Sequence, residues 1–124
     1  MDLSEKLKEF KIEEIIWIIY IGIIILSFYS NNLEKEYFIN NNEVAKEKYR
    51  NIMILIFSIL IVVYYYFFKS SYEDYKKLKD SDSNEKRNLT TLSMISSFLI
   101  LVSGIIFLYI AYQDHNIDVE LAFN

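Results

Sequence analysis

The chain has 124 residues, 53% apolar and 24% charged, with a net charge of -4 and no cysteine. That length makes one structural unit. The lack of cysteine excludes disulfides and thiolate metal sites, and the mild acidity lacks the basic footprint of a nucleic-acid binder.

Charged and apolar residues are segregated into blocks, and that segregation is more informative than the average. The chain has no proline and two glycines, Gly22 and Gly104, which suits long uninterrupted helices. A bias toward Ile, Lys, Asn, Tyr and Phe, with only three alanines, points to an AT-rich bacterial source.

The N-terminal segment carries Lys6, Lys8 and Lys11 among acids. An uncharged run follows from Ile15 to Leu33, with eight isoleucines between Ile15 and Ile25. About 19 helical residues rise roughly 28 Å, close to the ~30 Å hydrocarbon core of a bilayer. The acids that balance the leading lysines, and the bulky Phe28-Tyr29, oppose a cleaved signal peptide. The first run is therefore expected to remain as a span. Trp17 marks one end of it, as an interfacial aromatic belt requires.

Asn40, Asn41 and Asn42 break the helix and offer an N-cap. Glu43 to Arg50 are helix formers leading into a second uncharged run, Asn51 to Phe68. That run closes on Tyr64, Tyr65, Tyr66, Phe67 and Phe68 before Lys69, again a belt pattern. Tyr72, Tyr75 and Leu78 keep helical spacing beyond it. Residues 80–84 read as a turn, and Asp82 with Glu85 resembles a capping box for the third helix. The hairpin between the second and third spans is thus expected to extend as helix into the cytoplasm.

The third uncharged run goes from Asn88 to Gln113, with a span over 91–112 and belt residues Tyr109 and Tyr112. It carries Ser93 and Ser97 four apart, and Ser97, Gly104 and Ala111 seven apart on one face. Small residues let helix backbones approach closely, and serines add modest interhelical hydrogen bonds. This face is expected to pack inside the protein, or to dock another membrane protein or a second copy. The stretch Ile117 to Asn124 alternates apolar and mostly polar residues, which is strand periodicity. Such a tail could add to a partner's sheet edge, but eight residues at a terminus are more simply expected to be a frayed or interfacial segment.

Together these elements predict an all-α membrane domain over 1–124, with spans at 15–33, 51–68 and 91–112. Lys and Arg set the orientation. Lys6, Lys8, Lys11, Lys69, Lys76, Lys77, Lys79, Lys86 and Arg87 lie on one side, against Lys35, Lys46, Lys48 and Arg50 on the other. Nine against four places the N-terminus in the bacterial cytoplasm and the C-terminus outside. No metalloprotease, phosphate-loop or nucleophile motif occurs, and the lone His115 is expected to be a solvated tail residue. No ionisable group lies inside the three runs, as a coupled carrier would need.

No cofactor is expected, and the lipid bilayer is the expected partner. The leading expectation is a non-enzymatic accessory or interaction protein of the cytoplasmic membrane. The alternatives are a small pore-forming protein and an immunity-type protein. In length and number of spans the chain resembles the three-helix holins of phages. Their N-outside, C-inside layout is the reverse of the one the charges predict here.

Overall fold

The computed structural model describes residues 2–121. They form three α-helices: α1 over Leu3–Asn40, α2 over Glu43–Lys76 and α3 over Asn84–Gln113. At 1.5 Å per residue these 38, 34 and 30 residues rise about 57, 51 and 45 Å. All three are long and apolar enough to cross a membrane. Each also runs beyond the apolar segment that marks it in the sequence.

By contacts the chain divides into two compact units, one up to Ile52 and one from Met53 onward. In the first, Asp2 caps α1 by accepting the Glu5 N–H at 2.8 Å. Ile16, Ile23 and Ser30 are buried, a seven-residue repeat that holds one face of a helix. Ser27 and Ser30 donate their hydroxyls to the carbonyls of Ile23 and Ser27, at 2.8 and 2.9 Å, which satisfies polar groups without a polar face. The helix ends where Asn41 enters the left-handed region at φ 52, a conformation Asn tolerates better than most residues. Asn42 then caps α2, its side-chain oxygen accepting the N–H groups of Val44 and Ala45 at 3.1 and 3.2 Å. The asparagine cluster thus acts as a two-residue corner. Ala45 and Tyr49 are buried just past it, and the Lys46 ammonium lies 5.3 Å from the Tyr37 ring centre.

In the second unit α2 and α3 run antiparallel. Phe57 stacks on Phe107 at 5.6 Å, and Phe68 meets Phe98 at 5.6 Å. Partners descend along α3 as they ascend along α2. Met53, Ile56, Phe57, Leu60 and Val63 of α2 are buried, spaced by three and four as one face of a helix requires.

The turn between α2 and α3 corrects the expected capping box. Ser83 is the N-cap, accepting the Lys86 N–H at 3.1 Å. Lys86 therefore sits where a capping box needs Glu, and Glu85 is one residue too early. Asp82 is already engaged: it accepts the Lys79 N–H at 2.7 Å and the Lys86 ammonium at 3.1 Å. Arg87 closes the turn by donating to the Lys79 carbonyl at 2.9 Å.

The C-terminal segment forms a loop over its described residues. Residues 117–121 form no strand. The Asp114 carboxylate accepts the N–H groups of Asp118 and Val119 at 3.0 and 2.8 Å, Ile117 takes a left-handed φ of 56, and Leu121 is buried. A carboxylate that folds the backbone into a loop overrides the alternation. Ala122, Phe123 and Asn124, the rest of the alternating stretch, lie outside the described residues.

Candidate functional site

The small residues of α3 are placed unequally. Gly104 and Ala111 are buried, Ser97 is half-buried, and Ser93 is exposed. Gly104 has a clear steric role. A Cβ added there would lie 3.0 and 3.2 Å from ring carbons of Tyr64 and 3.5 Å from Ile61, so the glycine lets α2 lay an aromatic ring against the α3 backbone. At Gly22 an added Cβ meets nothing within 4 Å.

Two turns of helix away, the Ser97 hydroxyl donates to the Ser93 carbonyl at 2.9 Å. It also lies 3.0 Å from the hydroxyl of Ser71 on α2. With the Ser97 proton committed to Ser93, Ser71 donates and Ser97 accepts. The polar contact between α2 and α3 therefore runs through Ser71 and Ser97, while the Ser93 side chain is exposed. Ser71 was not legible as the partner of Ser97, because it lies past Lys69 and outside the apolar run. Nothing in the sequence distinguishes it from its neighbour Ser70.

The belt residues separate into two groups. Trp17, Tyr65, Tyr109 and Tyr112 are exposed, and Trp17 meets Tyr20 edge-on at 5.7 Å. Tyr64 and Tyr66 are half-buried. Tyr64 packs on Gly104, and Tyr66 meets Phe67 edge-on at 5.5 Å. A run of aromatics five residues long covers every side of a helix, so some of its rings turn inward by geometry alone.

Charged groups gather at the helix corners. Beside the α1–α2 corner, Lys46 pairs with Glu43 at 2.8 Å. That hydrogen bond holds the ammonium above its ordinary value of 10.5. At the α2–α3 turn, the Lys79 N–H and then the Lys86 ammonium hold the Asp82 carboxyl below its ordinary value of 3.8. A carboxyl depressed by the fold adds stability above its unfolded value, and loses it as pH falls through the folded one. Asp82→Asn keeps an acceptor for Lys79 but removes the charge. Amide exchange at Lys79 is expected to be faster in Asp82→Asn than in the parent at pH 6, with the difference vanishing well below pH 3.8.

Among the described residues, no group of three or more His, Cys, Asp or Glu side chains could hold a metal ion, and His115 is exposed. No buried side-chain nitrogen or oxygen lacks a hydrogen-bond partner among them. The arrangement offers packing surfaces, capped corners and a long exposed apolar flank. The chain matches no protein-family model, no curated protein and no solved structure.

Proposed function

We propose that this chain is a multi-pass integral membrane protein with a non-enzymatic accessory or interaction role. It would cross a bacterial cytoplasmic membrane three times, with the N-terminus inside. One observation carries the membrane reading. Only 11% of the most apolar 18-residue window of α1, and 11% of that of α3, is buried within the protein. Ile18, Ile21, Ile24 and Ile25 on α1, and Leu99, Ile100, Ile105 and Ile106 on α3, are at least half exposed. Soluble monomers rarely expose contiguous apolar patches beyond a few hundred Å². Lipid tails satisfy such surfaces, and the closed helical backbone leaves no polar ladder open to them. The hydroxyl of Ser58 on α2, exposed but bonded to the Ile54 carbonyl at 2.7 Å, suits the same surroundings.

The interaction role rests on apolar side chains exposed outside the apolar run of α1, such as Leu3, Leu7 and Phe10. The basic residues near the α2–α3 turn, Lys76, Lys77, Lys79, Lys86 and Arg87, support placing that turn in the cytoplasm. The test is expression in a bacterial host loaded with a potential-sensitive dye. The potential is expected to hold while the protein accumulates in the membrane fraction. Collapse of the potential on induction would replace the accessory reading with a pore.

A further inference from the structure

α1 carries more exposed apolar surface than a bilayer can cover. Leu3, Leu7, Phe10, Trp17, Ile21, Ile24 and Phe28 are each between 48% and 73% exposed. Their spacing alternates four and three residues, with Glu14 in the one missing place. That is the a/d stripe of a coiled coil, running from Leu3 to Phe28 and ending where Asn31 and Lys35 take the next places. It lies opposite the buried seam of Ile16, Ile23 and Ser30. The span accounts for the stripe only from about Trp17 onward. Leu3 precedes Ile15 by twelve residues, or about 18 Å of unbroken helix, and neither Gly nor Pro occurs there to bend it onto the lipid surface. Leu3, Leu7 and Phe10 would therefore stand in water.

We infer that this stripe is an interface between two copies of the chain, α1 against α1 in parallel. This rests on the membrane-spanning reading above. Two observations choose a second copy as the occupant. The first is extent: seven half-exposed Leu, Ile, Phe and Trp side chains leave on the order of 100 Å² each, given about 150–250 Å² for a fully buried aromatic. The sum approaches the ~800 Å² per partner of a stable interface. The second is continuity. One stripe serves both the aqueous and the apolar stretch without a change of phase, and a copy related by two-fold symmetry meets it with the same pattern at every height. Glu14 is the polar layer. A single polar residue at such a position fixes register at some cost in stability, and it falls at the membrane border, where water reaches the carboxylate.

The chain has no cysteine, so single replacements give a clean crosslinking background. Leu7→Cys, Phe10→Cys and Ile24→Cys are expected to form disulfide dimers in membranes on mild oxidation. Ile12→Cys lies roughly 160° around the helix from position 10 and is expected to remain monomeric. Phe10→Glu, at a site half exposed on the surface of α1, is expected to lower the crosslinked fraction of Leu7→Cys several-fold while the protein stays in the membrane fraction. Equal crosslinking at positions 10 and 12, or none at 7, 10 and 24 in protein retained by carbonate-washed membranes, would overturn the pairing while leaving the span intact. Release of the protein by carbonate would overturn the membrane reading first.

Discussion

Ile56→Ala is expected to lower unfolding stability in detergent by about 2–3 kcal/mol, the lower part of the range for emptying a packed site. Ile56 is 0% exposed, so the lost side-chain atoms leave a cavity that neither lipid nor water fills. In a protein bathed in apolar tails the transfer term is small, and lost dispersion contacts dominate. Leu55, the neighbouring residue, is 50% exposed. Leu55→Ala is expected to cost under about 0.5 kcal/mol, as surface changes usually do. Thermal or denaturant unfolding of the two variants side by side checks both values. Equal losses would mean that the buried face of α2 is assigned wrongly.

Gly104→Leu is expected to cost about 1–3 kcal/mol, the usual range for overfilling a tight contact. A single Cβ already approaches Tyr64 to 3.0 Å, so the added isobutyl group forces the ring or the α3 backbone aside. Gly22→Leu is the control. It has open space around it, and replacing a helical glycine recovers up to about 1 kcal/mol of propensity, so it is expected to be neutral or slightly stabilising. The loss at Gly104 is expected in monomeric protein, because the neighbours it meets, Tyr64 and Ile61, belong to the same chain. A Gly104→Leu variant that melts like the parent but loses association with other proteins would instead make this face a docking surface.

The three apolar runs were legible because charge is excluded from them in blocks, and no soluble helix pattern competes. The corner at Asn41 and Asn42 was legible because three consecutive asparagines combine tolerance of left-handed φ with a capping side chain. Other features were not. Asp82 and Ser83 are adjacent, and both carry a side-chain oxygen that can accept a backbone N–H at a helix start. Ser83 takes the role because Asp82 is held by Lys79 and Lys86, a contact that exists only once the turn has formed. The alternation after Ile117 depends on residue type alone, and the Asp114 carboxylate redirects the backbone regardless of it.

Seven-residue spacing identifies Gly104 and Ala111, but it cannot show that Tyr64 covers one and that Ser71 bonds to Ser97. Least legible was the division of burial among helices. All three runs are uniformly apolar, so composition does not mark α2 as the helix that buries Met53, Ile56, Phe57, Leu60 and Val63. Before Ile15, the apolar spacing of α1 is interleaved with charges. Leu3, Leu7 and Phe10 keep coiled-coil spacing there, but three apolar residues among seven charged ones are a weak periodic signal.

Placement in the membrane is most directly measured by single-cysteine labelling in intact bacterial cells with a membrane-impermeant maleimide. Cysteine is introduced at Asn42 in the α1–α2 corner, at Ser81 in the α2–α3 turn and at Ile24 within the first apolar run. Labelling is expected at Asn42→Cys in intact cells, at Ser81→Cys only after the membrane is opened, and at Ile24→Cys in neither case. Labelling of Ser81→Cys but not Asn42→Cys in intact cells would reverse the orientation. Ready labelling of Ile24→Cys would contradict a membrane-spanning α1.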